Sequence, residues 1–208
     1  RVFCDVERYV DDEEEVMAKF GMGCVYTHSD DSKLIREMSP TNRQSIIDEY
    51  FIPHHYKLIK AIHEELKLKG NALMIDCHSF PNKAFNRSTA VDDGFRPDIC
   101  IGTHDMHTPP GLAELAVEVF ASRGLTVGVN DPYEGALIPS YYEMSQPRVS
   151  TIMLEVNRKL YMNENTHEKL TSCGGFRKTQ KLVGEFLEVM NKWVDGEGDE
   201  VKLRKQTS

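Results

Sequence analysis

The chain has 208 residues, 40% hydrophobic and 28% charged, enough for one domain with a sizeable core and an ordinary soluble composition. Its net charge of −8 and pI near 5.5 argue against a nucleic-acid or anionic-membrane surface, which needs clustered Lys and Arg. No apolar run approaches a membrane span and no basic-then-apolar signal segment is present.

In chain order, Val2–Val6 reads as a strand. The acidic run Asp11–Glu15 follows, most simply a solvated helix start, since carboxylates favour a first turn. Cys24–Thr27 is a second short apolar run, and 29–32 a loop. A long helical stretch runs to about Leu68 with Thr41 as N-cap; Pro53 interrupts its pattern and predicts a kink or two helices meeting. His54 and His55 follow that break.

Lys69-Gly70-Asn71 reads as a helix stop. Ala72–Ile75 is then a short buried strand that ends abruptly in Asp76, Cys77, His78 and Ser79. Residues 82–93 are polar and aperiodic, a loop expected over the site. Ile99–Gly102 is another buried strand, and it ends in a polar loop carrying His104 and His107. A helix from Pro110-Gly111 to about Arg123, a strand at Leu125–Val129 and a strong turn at Asn130–Gly135 come next. Ser150–Val156 is the last strand. A helix from about Phe176 to Val194 shows one apolar stripe, and the charged tail from Asp195 is expected to fray.

Alternating strands and helices predict a single α/β domain over residues 1–208, with a mainly parallel or mixed sheet and helices on both faces. The five cysteines, Cys4, Cys24, Cys77, Cys100 and Cys173, are odd in number and lack a CxxC pair. Three of them (Cys4, Cys24, Cys100) lie in apolar, strand-like runs, which predicts reduced, packed thiols in a cytoplasmic protein, not a disulfide scaffold. The chain opens at Arg1 directly in a strand-like segment, which leads us to expect that an N-terminal segment is absent from it. No Gly-rich phosphate loop follows any strand, against a nucleotide-binding module.

Ligands of open α/β sheets bind beyond the carboxyl ends of the strands. His78 is placed there as a metal ligand or general base, unless a backbone carbonyl satisfies it. Glu155, near the end of an apolar strand, is costly to bury without a partner. It is either ion-paired with Arg158 or Lys159, or a general base with a pKa raised by a dry site. Arg8 and Arg158 could clamp a substrate carboxylate through their planar two-point donors.

The stretches DVERY (5–9), PHHYKL (53–58), DCHSFP (76–81), RPDICIGTHD (96–105), NDPYEGALIP (130–139) and LEVNRKLYMNE (154–164) together resemble the N-formylglutamate amidohydrolase family, in order and over nearly the whole chain. The resemblance implies a fold like that of the zinc carboxypeptidases and aspartoacylases. It also implies one zinc per chain and hydrolysis of an N-formyl or other N-acyl amide of an acidic amino acid. In that reading His78 is a zinc ligand, Glu155 the base that activates water, and Arg8 the carboxylate clamp, with Asn157 and Arg158 as further substrate contacts. Asp76 would fix the His78 tautomer.

Glu7 stands where the family's DLNR-like pattern has Asn. It is a possible metal ligand, as are His55, His104 and His107. The family's upstream His-Ser-Gly-like stretch is not in this sequence, so the remaining ligands are expected before Arg1. Two other readings stay open: a related zinc peptidase or N-acyl amino acid hydrolase, and a non-catalytic α/β small-molecule-binding protein.

Overall fold

A computed structural model describes residues 3–84, 96–144 and 146–196. Most of the loop expected over the site (85–93) and the tail beyond residue 196 lie outside the described residues. Those described fall into two compact units, residues 3–63 and residues 64–84 with 96–144 and 146–196.

In the N-terminal unit neither expected strand forms among the described residues. The two segments meet through one backbone bond, Asp5 N to Cys24 O at 2.7 Å. Asp5 then turns the chain. Its carbonyl accepts from Arg8 N and its side chain from Glu7 N, the local competition with strand pairing that Asp offers. Residues 11–15 form a turn rather than a helix start. Glu15 is buried, not solvated, and accepts from the Tyr9 and Met17 amides and from Arg8 Nη1. Cys24, Val25 and Ile47 form the core of this unit, packed by Val10, Ile46 and Phe51.

Ser39, not Thr41, caps the long helix, accepting from Asn42 N at 3.2 Å. Helix α1 (Pro40–Ile46) passes through a π-helical turn (Ile47–Phe51) into α2 (Ile52–Lys69). The expected interruption at Pro53 is this turn: Ile52 N reaches back five residues to Ile47 O. Pro53 offers no N–H and its ring crowds the carbonyl four residues earlier, and a widened turn relieves that clash. Gly70, in the left-handed region at φ 81°, ends the helix as expected.

The second unit holds a mixed four-stranded sheet in the order β1 (Ala72–Phe80), β4 (Val149–Asn157), β2 (Ile99–Gly102), β3 (Val127–Val129). β1 runs parallel to β4 and β2 parallel to β3, while β2 and β4 are antiparallel. Side chains alternate across a strand. Ile99, Ile101, Ile152, Leu154 and Val156 therefore share one face, and they pack there with α3 (Pro110–Ala121) and α5 (Gly175–Val194) through Leu112, Leu115, Phe120, Phe186 and Met190.

The opposite face carries Asp76, His78, Phe80, Cys100, Glu155 and Asn157. Where helices were expected on both faces, the segment 130–139 lies over part of this one. Thr151 Oγ1 donates to Leu137 O and Cys100 Sγ to Tyr133 O. Added Cβ atoms at Gly102 and Gly128 would collide with the carbonyls of Gly135 and Asp131, so glycine is what lets the segment lie against the sheet. A short helix, α4 (Ser140–Glu143), follows it.

Candidate active site

Register builds the site. His78 on β1 pairs with Glu155 on β4, and Glu155 with Cys100 on β2. Adjacent strands lie about 4.8 Å apart, so the three side chains form a row across one face near the carboxyl ends of β1 and β4. Asp76 and His78, two residues apart, share that face, and Asp76 Oδ1 lies 2.8 Å from His78 Nε2. This contact fixes the orientation of the ring.

Glu155 is buried. The ion pair considered for it is not formed by either cation: Arg158 donates to Ser79 Oγ and Ser79 O at 3.3 and 3.2 Å, and Lys159 pairs with Asp98 at 3.1 Å. Cys100, across from Glu155, is a neutral thiol. Burial pushes it up to about 11, the backbone bonds to Tyr133 and Asp131 oppose that, and the negative charges of Glu155 and Asp131 add to it. The row thus offers an imidazole and a carboxylate, and no thiolate nucleophile at neutral pH.

Asn157 is fully buried and committed internally. Its Nδ2 donates to Pro97 O at 2.9 Å and Asn82 Oδ1 at 3.2 Å, and its Oδ1 accepts from Lys159 N. It pins the segment before β2 to the end of β4. Arg158 tethers the end of β1 through Ser79.

Of the two loop histidines, His107 is the one whose ring is fully engaged. His107 is buried with Nδ1 against Val149 O at 2.8 Å and Nε2 against Glu143 O at 2.9 Å, so neither nitrogen is left to ligate a metal. His104 accepts from Met106 N at Nδ1 and stacks edge-on against His107.

In the N-terminal unit, His55 Nε2 lies 2.7 Å from Val6 O and its ring stacks on Phe51. Burial first, then the neighbouring His55 and Lys57, hold the His54 pKa below its ordinary value, with Glu7 opposing. Arg8 is held by two carboxylates, Glu15 at 3.3 Å and Asp5 at 3.6 Å, and Tyr26 Oη donates to Asp5.

A residue that sequence reasoning passed over is Arg96. It is only 7% exposed, its guanidinium packs against the rings of Phe80 and Tyr133, and its Nη1 donates to Tyr133 Oη at 3.3 Å. In sequence, Arg96-Pro97-Asp98 reads only as a lead-in to β2.

No described helix is long and apolar enough to cross a membrane. No curated protein matches the chain. The crystal structure of N-formylglutamate amidohydrolase from Ralstonia eutropha JMP134 is similar at a TM-score of 0.78 and 25% identity, covering 92% of this chain and 74% of that one. A gene product of Agrobacterium tumefaciens shares the fold at a TM-score of 0.59 and 18% identity, over 92% of this chain and 69% of its own. The family model for N-formylglutamate amidohydrolase matches residues 1–162, a span that holds the His78–Glu155–Cys100 row and every motif of the resemblance except the last two residues of the final one. The chain belongs to the N-formylglutamate amidohydrolase family.

Proposed function

We propose that this protein is a metal-dependent amidohydrolase that removes the N-formyl group from N-formylglutamate or a close N-acyl amino acid. The fold is read as of the zinc carboxypeptidase and aspartoacylase type. The observation that carries the reading is the register of β1 on β4, which sets His78 beside the buried Glu155. Family membership and the likeness to the Ralstonia enzyme support it.

The donor chemistry fits zinc. A carboxylate-braced imidazole is a common zinc ligand, and here Asp76 braces His78. Zinc held by His78 would supply a Lewis acid that lowers the pKa of a bound water and polarises the formyl carbonyl. Glu155 takes the proton of the attacking water and delivers it to the departing amide nitrogen, so that formate and the free amino acid leave. The burial of Glu155 excludes competing bulk water from that transfer. Arg158 holds a substrate carboxylate, and Asn157 positions the strand end that carries Arg158 and the segment that carries Arg96.

The test is formate release from N-formylglutamate by the purified protein, alongside elemental analysis of metal. Turnover with about one zinc per chain, both lost in His78→Ala, supports the reading. A protein with neither turnover nor metal, even after incubation with zinc, is instead a small-molecule-binding member of the family.

A further inference from the structure

A guanidinium cannot shed its charge, and a buried charge is costly without a counter-charge. Arg96 is more than nine-tenths buried, yet among the described residues it forms no ion pair. Its one side-chain hydrogen bond goes to a neutral phenol, Tyr133 Oη at 3.3 Å, and its other neighbours are two ring faces. Among the described residues, four of the five guanidinium N–H donors thus have no acceptor.

The backbone around Arg96 is firmly placed. Its carbonyl accepts from Lys159 Nζ, Pro97 O from Asn157 Nδ2, and Asp98 O from Asn157 N. Phe80, on which the guanidinium rests, follows His78 by two residues on the same face. That is a strand advance of about 7 Å, comparable to the reach of a glutamyl side chain. Tyr133, the other support, comes from the segment whose carbonyl caps Cys100 in the His78–Glu155–Cys100 row.

We infer that Arg96, framed by Phe80 and Tyr133, is a carboxylate-binding subsite that selects substrates with an acidic side chain. The anion supplies the counter-charge that Arg96 lacks, and the planar fork meets the carboxylate at two points. This rests on the hydrolase reading for the identity of the substrate, but not for the existence of the subsite.

The experiment compares wild type with Arg96→Met and Arg96→Lys in two assays. One is calorimetric binding of glutarate and of its monoamide. The other is turnover of N-formylglutamate and N-formylglutamine. Wild type is expected to prefer the diacid in both. Removing one member of a buried charge pair should weaken glutarate binding and kcat/KM for N-formylglutamate by about 30-fold or more. The neutral analogues should change little in Arg96→Met, and Arg96→Lys should fall between.

Equal losses on acidic and neutral substrates would mark Arg96 as merely structural and overturn the proposal, as would a wild type that does not bind glutarate. Should a substituted chain fail to fold by circular dichroism, Tyr133→Phe replaces it, with a smaller loss of the same selectivity expected. Arg96-dependent glutarate binding without any turnover would sink the hydrolase reading and keep the subsite. Turnover with unchanged selectivity in Arg96→Met would do the reverse.

Discussion

Glu155 and His78 carry separable duties, and single substitutions should part them. Glu155→Gln keeps shape and hydrogen bonding but cannot take a proton, so kcat should fall by about 100- to 10,000-fold with zinc retained. Near-normal turnover would remove Glu155 from the role of base. Asp76→Asn should weaken zinc binding by about 10- to 100-fold, the usual cost of losing the partner that braces a ligating imidazole; competition with a chelator reads this directly. Cys100 gives a pH signature. Its folded pKa, about 11, lies above the ordinary value of 9.0, so its burial as a thiol favours folding fully below pH 9. That contribution is lost as pH rises from there through about 11, because the unfolded chain releases the proton first. Urea unfolding across that interval should show a declining stability whose slope is shallower in Cys100→Ala. The sequence made His78 and Glu155 legible because polar residues ending apolar runs stand out. It hid Arg96 and Glu15, since nothing in RPD or in an acidic run tells which charge is buried. Burial of those two is decided by how the chain folds back on them, with Tyr133, 37 residues on, over Arg96 and the turn at Asp5 bringing Arg8 onto Glu15.

At the scale of elements, long periodic segments were readable and short apolar runs only in part. β2, β4 and α5 form close to where apolar period and Gly or Pro punctuation put them, whereas β1 does not stop at Ile75 but runs on through the polar residues to Phe80. The runs at Val2–Val6 and Cys24–Thr27 look equally strand-like, yet Asp5 turns the first after a single rung. The antiparallel pairing of β2 with β4 could not be read either, because strand direction depends on how connections cross the sheet. That pairing matters to the site, since it is what aligns Cys100 with Glu155. The glycines of β2 and β3 are also explained only by what lies over them. Gly102→Ala would drive its methyl into Gly135 O and the Met153 side chain. Overpacking of this kind costs about 1–3 kcal/mol. Denaturant titration should show that loss, with reduced turnover because the segment bearing Tyr133 is displaced. An unchanged midpoint would mean that the segment yields freely.

Over the whole molecule, one strand serves stability and chemistry at once. β4 sends Ile152, Leu154 and Val156 into the core with α3 and α5, and Met153, Glu155 and Asn157 to the opposite face. Alternation separates the two functions by a single residue step, so a one-residue slip would exchange core and site. The tightly filled core side makes such a slip prohibitive. Phe186 is fully buried and stacks on Phe120 at 5.3 Å between centroids, far along the chain from His78 and Glu155. Phe186→Ala should therefore cost about 3–5 kcal/mol, a large share of the 5–15 kcal/mol typical of a folded protein. Turnover per folded molecule should nonetheless stay near that of the unaltered chain, measured at low temperature where the variant remains native. Glu155→Gln should show the converse, with lost turnover and a melting temperature little changed. If Phe186→Ala instead lowered kcat of the fully folded protein as strongly as it lowered stability, the two faces of β4 would be coupled, and Glu155 would owe its position to fine packing in the core rather than to register alone.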